Sequence, residues 1–573
     1  MKVKIPKELV GASYPTVMTL VLAEINTETF LPSLFFKVMS GGRSRLKGEN
    51  DEKTIATYVE KLANHPLLIG FQTPDGHRIL EKFVRTSLIT TGGIGRAKRG
   101  EQILALTPYS LLSYKPELFG SNSRQRGVDT FIYRVLLEHV RVGDSLENTQ
   151  RKLRDNYFIK FFGKGLKFDQ TPNSVDGKYN EQTELDTLTR MSLAFIDGFT
   201  ATKPGRESDT SKPSPCPTLV TQLAQDILLF LNTYAERMPS QALTYYFQAL
   251  ISFEMYIYSL RLATAVNALV RNPSELPFAM RDPVERSDPL IYLDFTGQPK
   301  HLSEQMAAEC VRRDVETFQQ FFRSLLQLRW LDKQVAKFKK AASTKLAVEQ
   351  LLQGKSNGAA YLQSMLQMRE DIHLKYSFNA AAQHDIASIQ LATLPNAEGD
   401  ETEANWLDEI TEPARTDIDQ LVLLLEEGQR QSILKNYIGW ILGIGGMNKT
   451  YGLLSGSSRQ RRTWRYAPGN DLLSLLVQLA TAHAIPQEQR GSDAGPSEIR
   501  LQEFLHFLED RYGIIVSRPP PGIHGAECSA AAHSNLRAML SRLRQMGIFT
   551  DLSDDFTVQR LRPPYGDPIT TIE

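Results

Sequence analysis

The chain has 573 residues, 41% of them hydrophobic and 23% charged, with 66 lysines and arginines against 65 aspartates and glutamates. That length exceeds one compact core and sets an expectation of several domains. The near balance of charge excludes a uniformly basic nucleic-acid binder, so any such role must concentrate its cations in patches. Three widely spaced cysteines (Cys216, Cys310, Cys528), with no C-x-x-C pair, exclude a zinc ribbon or a disulfide framework and fit a reducing compartment.

The opening segment, MKVKIPKELVGASYPTVM, is cationic but lacks an apolar run of signal-peptide length. No later run reaches the ~20 apolar residues of a membrane helix, so the expected location is the cytoplasm, with no membrane partner. Residues 1–200 read as a mixed α/β block, with β-like runs at Thr19–Leu22, Leu67–Phe71 and Ile103–Leu106. This block carries three basic patches. Lys37, Arg43, Arg45 and Lys47 surround Gly41-Gly42; Arg96, Lys98 and Arg99 follow Gly92-Gly93-Ile94-Gly95. Between Arg151 and Phe168, six basic residues interleave with five aromatic ones. The glycine loops lack the following Gly-Lys-Ser/Thr of a nucleotide loop. Cations interleaved with aromatics suit nucleic acid, and equally a helix whose stems cover a core.

Residues 201–217, rich in Pro, Ser and Thr, read as a linker. From 218 to 380 apolar residues recur at helical spacing: Leu219, Leu223, Ile227 and Leu231; then Tyr246, Leu250, Phe253 and Ile257; then a run from Ser303 through Phe318, Phe322, Leu325 and Leu331 to about Gln353. That pattern predicts a helical bundle, interrupted at Leu290–Phe295 by a β-like connector or hairpin arm. Residues 381–420 read as an acidic loop or linker, because nine acidic residues between Glu398 and Asp419 face one basic residue, Arg415. Such a segment is either plain solvated chain or a cover for a basic surface.

Residues 421–490 read as helix followed by a basic Gly/Arg loop. From Arg430 to Arg465 there are seven basic residues and no acidic one. Arg459, Arg461, Arg462 and Arg465 stand beside Trp464 and Tyr466, among glycines that make the backbone pliable. Arginine with aromatics suits phosphate binding plus base stacking; a solvated loop, or one paired to the acidic segment, is the alternative. Residues 491–573 order as a helix from Glu498 to Tyr512 capped by Ser497, a short strand at Ile514–Ser517, a second helix over Ser529–Met546, and a hairpin of Ile548–Leu552 and Phe556–Leu561. Helix, helix and hairpin suggest a winged-helix variant. On the second helix Ser534, Arg537, Ala538, Ser541, Arg542 and Gln545 point away from the apolar stripe, where they can meet bases or phosphates; Arg560 and Arg562 on the last strand would add phosphate contacts. The acidic turn Asp554-Asp555 counts against a wing tip lying on phosphate. Protein docking is the other use of such a module. The expected fold is therefore mainly α and multidomain, with a mixed N-terminal block, a central bundle and a winged-helix-like C-terminal module.

Motifs that carry known chemistry are nearly absent from the sequence. There is no Glu-x-Lys, His-Glu-x-x-His, Walker A loop or Gly-x-Ser-x-Gly elbow. Asp169 with Asp176-Gly177-Lys178 is a loose nuclease-like alternative. His524, Cys528 and His533 crowd together without an evident fourth ligand. No catalytic residue, metal or cofactor is assigned.

The stretches Tyr451–Leu454, Arg459, Arg461-Arg462, Trp464–Pro468, Asp471–Leu473, Leu540–Arg544, Met546-Gly547 and Phe549–Phe556 resemble large proteins of bacterial anti-phage defence islands, most closely accessory components of methylation-associated defence systems. The resemblance covers the last quarter of the chain and implies a non-catalytic partner of a methyltransferase or nuclease machine that recognises foreign DNA. The expected function is a DNA-binding or assembly subunit that contacts duplex DNA and other subunits of the system. A protein scaffold without DNA contact and a nuclease with an unfamiliar site are the alternatives.

Overall fold

The computed structural model describes residues 127–162, 214–281, 290–355, 358–393, 401–486 and 498–566 apart from 551–558, together with shorter stretches elsewhere, mostly before residue 127. It is mainly helical. In the N-terminal block α1 (Phe30–Met39) packs on α2 (Val128–Val140), followed by α3 (Leu146–Leu153), whose N-terminus is capped by Ser145. Two short antiparallel pairs lie here, β1 (Ile89–Thr90) with β2 (Gln102–Ile103) and β3 (Leu166–Phe168) with β4 (Gly177–Tyr179). The run ending at Phe71 is a turn rather than a strand. Gly70 sits there at φ 92, a conformation that a β-branched or bulky residue resists. Leu20 and Leu22 are buried outside any strand.

The centre is built on α4 (Pro217–Tyr234) and the long α5 (Ser240–Arg271), which begin where Pro217 and Pro239 fix the backbone for a helix start. Among the described residues α5 alone is long and apolar enough to cross a membrane by composition, with mean hydropathy 1.2 over its best window. That window is 94% buried inside the protein, as befits a central core helix. α6 (Leu302–Phe338) crosses α5, and the periodic run that predicts helix to Gln353 breaks after Phe338. There the Thr344 hydroxyl donates to the Phe338 carbonyl at 2.9 Å, a side chain competing for helical backbone. The chain resumes as α7 (Lys345–Leu351), α8 (Gly358–Met368) and α9 (Lys375–Thr393). The acidic stretch is not loop where it is described: α10 (Glu401–Thr411) packs on α11 (Asp417–Ile444), whose first turn holds Asp417 and Asp419 against the positive end of the helix dipole.

The β-like connector joins the middle of the chain to its end. β5 (Ile291–Tyr292) pairs in parallel with β9 (Ile514–Ile515), and the Asp294 N–H continues the line by donating to the Tyr466 carbonyl at 2.8 Å. A hairpin arm would have paired locally; this strand pairs with residues more than 200 positions away. α12 (Asn470–Ala484) precedes β8 (Ile499–Arg500), α13 (Leu501–Tyr512), β9 and α14 (Ala526–Gln545), after which come β10 (Phe549–Thr550) and β11 (Arg560–Leu561). α13 starts later than its periodicity suggests: Arg500 is still strand, its N–H held by the Glu503 carboxylate at 3.2 Å. Gly513 at φ 68 and Gly547 at φ 71 end α13 and α14 as left-handed glycines do. β10, β11 and β8 form one antiparallel sheet in that order.

Candidate nucleic-acid interface

The arginine loop grows out of the end of α11. At Gly446 (φ 62) an added Cβ would lie 2.8 Å from the Gly452 Cα, and at Gly452 one would lie 1.8 Å from the Gly446 oxygen. The glycines therefore let two backbone segments touch and do not serve pliability. β6 (Leu454–Ser455) and β7 (Arg465–Tyr466) then pair antiparallel, Leu454 opposite Tyr466. Between them the loop is held from inside. The Asn448 amide donates to the Gly456 carbonyl at 2.7 Å and accepts its N–H at 3.0 Å. The Thr463 hydroxyl takes the Ser457 N–H at 2.8 Å, and the Trp464 indole donates to the Ser457 carbonyl at 2.7 Å.

Trp464 and Tyr466 are fully buried, so the aromatics expected to stack on bases are the loop's foundation instead. Tyr466 donates to Asp314 of α6 at 2.7 Å and bonds the Tyr256 hydroxyl of α5 at 2.8 Å. Asp314 is completely buried; burial raises its pKa, opposed by Arg313, whose Nε donates to it at 2.8 Å. What remains at the tip is positive charge. Arg459, Arg461 and Arg462 are exposed, and Lys449 is exposed nearby. Arg461 reaches the Tyr437 hydroxyl at 3.4 Å, and among the described residues none of the three arginines has a carboxylate partner. Arg465 differs: it is ion-paired with Glu304 at 3.2 Å and only 22% exposed, because its position on β7 turns it toward α6.

On α14 the expected apolar stripe is buried: Leu536, Met539, Leu540 and Leu543. Arg537, Ser541 and Gln545 are exposed and Ala538 is half-buried. Arg542 is not free. It donates to the Pro468 carbonyl at 2.8 Å and lies over the Phe295 ring at 5.6 Å, and burial pulls its pKa down. It therefore fastens α14 to the base of the arginine loop. Arg560 is 56% exposed and faces Glu498 at 3.7 Å, a carboxylate that a phosphate would have to compete with. Arg96, Lys98, Arg99, Arg43, Arg45 and Lys47 lie outside the described residues, as do Asp169, Asp176 and the turn Asp554-Asp555. Lys37 is buried against Asp129 at 3.9 Å. Of the patch from Arg151 to Phe168, the described part covers a core: Phe158, Phe161 and Phe162 are buried, Phe158 and Phe162 against the Phe35 ring, while Lys152 and Lys160 pair outward with Asp144 and Glu236.

Three polar clusters that sequence periodicity could not reveal anchor this surface. Asn535, fully buried on α14, takes the Phe295 N–H at 2.6 Å and donates to the Leu293 and Val516 carbonyls at 2.7 and 3.2 Å, clasping the parallel β5/β9 pair. Asp314, described above, holds β7. Asp226 of α4 is the centre of the third: it accepts from Arg511 at 2.7 and 3.1 Å and from Tyr512 at 2.8 Å, and bonds His483 Nε2 at 2.6 Å. Burial alone would raise its carboxyl, but the His483 bond and the Arg511 charge hold it below its ordinary value. The Tyr512 hydroxyl also lies 2.9 Å from Glu254, whose pKa is pushed well above normal by burial and by the Asp226 charge. Tyr512 has one proton to give to the two carboxyls, and Glu254, kept protonated by burial, is itself hydrogen-bonded to the Asp226 carboxylate.

The sequence of this architecture matches the family model of methylation-associated defense system protein MAD7 over residues 7–565. The chain belongs to that family. The match spans nearly the whole chain, well beyond the last quarter in which the resemblance is visible by eye, and places the protein in a methylation-associated defence system. No curated protein and no solved structure matches this MAD7-family chain. Among the described residues no three His, Cys, Asp or Glu side chains are grouped to hold a metal ion, and His524 and His533 are both exposed to solvent.

Proposed function

We propose that this protein is a non-catalytic subunit of its defence system that binds duplex DNA through the arginine loop and the 470–566 module and joins other subunits of the system. The observation that carries the reading is the loop tip: three exposed arginines with no carboxylate partner among the described residues, on a backbone braced by Asn448, Thr463 and Trp464. Unpaired guanidinium groups on a stiff support lose little entropy when they close on phosphate. The burial of Trp464 and Tyr466 leaves the tip without a stacking ring, which favours the duplex backbone over single-stranded bases.

The connectivity supports a winged-helix reading of the end of the chain. Helix α12, strand β8, helix α13, strand β9, helix α14 and strands β10 and β11 follow in that order; β8 pairs with β11, while β9 pairs outside the module with β5. In that reading α14 is the recognition helix, with Arg537, Ser541 and Gln545 toward the groove, while Arg542 is structural. Fluorescence anisotropy on a labelled duplex, titrated from low to moderate salt, tests it. Affinity should fall with a steep log-log slope, and Arg459→Ala/Arg461→Ala/Arg462→Ala should weaken binding to all sequences alike. Salt-indifferent binding, or a triple variant that binds like the parent, would reject the reading.

A second reading, a scaffold without DNA contact, draws on the exposed apolar side chains of the 345–393 helices, with Leu346 at 67%, Ile372 at 86% and Tyr376 at 83% exposure. Copurification with partner subunits and no shift of any duplex would favour it.

A further inference from the structure

Glu254, Arg261, Thr264 and Ala268 follow one another along one face of α5, seven, three and four residues apart. The inner part of that face is the polar cluster around Asp226. Its outer part lines a cavity of 330 Å³, closed on the other side by the 272–281 turn with Phe278 and Arg281. That size is at the lower end of small-ligand sites.

The lining has a definite chemistry. Arg261 is 7% exposed and, among its contacts, holds the Arg511 carbonyl at 3.1 Å, so a buried, already partnered cation stands at the inner end. At the outer end the Arg281 guanidinium lies over the Phe278 ring at 4.8 Å, its Nε fixed on the Leu276 carbonyl at 2.7 Å. Phe278 nonetheless remains 36% exposed. Between them the walls are Ala265, Ala268, Leu276 and Pro277. Among the described lining residues the carboxylate is Glu275, which pairs with Arg281 and is 67% exposed on its side chain, so an incoming anion can replace it at small cost. Two cations, an apolar wall and a partly bare aromatic ring suit one class of ligand, a small anion that carries a flat ring.

We propose that this cavity is a binding site for such a ligand, a phosphate-bearing aromatic of nucleoside monophosphate size, with the phosphate toward Arg261 and the ring against Phe278 and Arg281. The site lies apart from the arginine loop, and the proposal does not rest on DNA binding. Because Arg261 grips the Arg511 carbonyl, a bound anion sits one residue from the cluster that joins α4 and α5 to α12 and α13.

Isothermal titration calorimetry on the full chain tests it with four probes: phenyl phosphate, adenosine 5′-monophosphate, adenosine and inorganic phosphate. The two ring-bearing phosphates should bind one to one, and adenosine and inorganic phosphate at least about tenfold more weakly. Phe278→Ala and Ala268→Trp, both at exposed positions, should each weaken phenyl phosphate at least about tenfold, the tryptophan by filling the cavity. Arg459→Ala/Arg461→Ala/Arg462→Ala should leave it unchanged, which separates this site from the DNA reading. The proposal is overturned by the absence of binding of both ring-bearing phosphates at about 1 mM. It is equally overturned if adenosine matches them, if neither cavity variant weakens binding, or if the loop variant abolishes it.

Discussion

Asp226→Asn should destabilise the protein far more than Glu254→Gln, although the two carboxyls share one hydroxyl. Asp226 is the charged member, with Arg511, Tyr512 and His483 all bonded to it. Its amide isostere keeps one acceptor, turns a donor toward two cationic or donating groups, and removes the charge that Arg511 was buried against. Hydrogen bonds to a charged group contribute about 1.5–3 kcal/mol each and are not additive within a network. Removing one partner of a buried pair costs about 3–5 kcal/mol. Arg511 and His483 are only 17% and 20% exposed, so solvent screening trims this slightly, and about 3–4 kcal/mol is expected. Glu254 is the neutral member, and glutamine reproduces a neutral donor and acceptor of the same shape, so its cost should stay within about 1 kcal/mol. Urea unfolding at neutral pH, followed by the fluorescence of the buried Trp440 and Trp464, reads both variants. A Glu254→Gln loss equal to that of Asp226→Asn, or an Asp226→Asn loss below about 1 kcal/mol, would show that the charge assignment within the cluster is wrong.

The same cluster fixes a pH dependence. The raised Glu254 carboxyl keeps its proton in the folded state, so its contribution is complete below the unfolded value and is lost as pH rises through the folded one; the lowered Asp226 contribution is lost as pH falls through its folded value. Melting temperature, followed as pH rises from the ordinary carboxyl range, should therefore be flatter in Glu254→Gln than in the parent, and a parallel pair of curves would contradict this. Removing the three loop arginines should lower the log-log salt slope of duplex binding by about 2–3 units if each meets one phosphate, measured by anisotropy; an unchanged slope means that they do not. Arg542→Ala should cost stability, through the lost Pro468 and Phe295 contacts, without altering sequence preference, whereas Arg537→Ala with Gln545→Ala should alter preference and leave stability within about 0.5 kcal/mol. Asn535→Ala should cost about 3 kcal/mol or more in urea unfolding, since it strands one N–H and two carbonyls of the β5/β9 pair.

Helices were the readable part of this chain because their signal is local. Leu219, Leu223 and Ile227, or Leu536, Met539 and Leu543, declare a buried face within a dozen residues, and those faces are buried. The left-handed ends at Gly513 and Gly547 are local features of the same kind, since glycine accepts that conformation without strain. The break after Phe338 was not, since it depends on Thr344 turning back on the backbone, which periodicity does not register. The acidic stretch misled because charge density says nothing of helix formation when Trp406 and Leu407 supply an apolar side. At the candidate interface, composition located the cations but not their fates. Arg459 and Arg465 look alike in sequence; only the register of β7 against Leu454 and Ser455 sends Arg465 to Glu304 and leaves Arg459 at the tip. Trp464 and Tyr466 looked like stacking residues because an exposed aromatic and a buried one have the same letter.

That register has a consequence for how such a surface can work. Tyr466 hangs on Asp314 of α6 and Tyr256 of α5, Arg542 ties α14 to Pro468, and Asn535 ties α14 to the segment that follows β5 and leads to α6. The arginine loop and the exposed face of α14 are thus fastened to the same central helices by buried bonds, each expensive to break without its partner. A surface so fixed cannot adapt its spacing to a ligand one element at a time. It either meets a backbone of matching geometry or it does not. Duplex DNA, whose phosphates repeat at fixed intervals, is the kind of partner for which that rigidity is an advantage, and a flexible single strand is the kind that gains nothing from it.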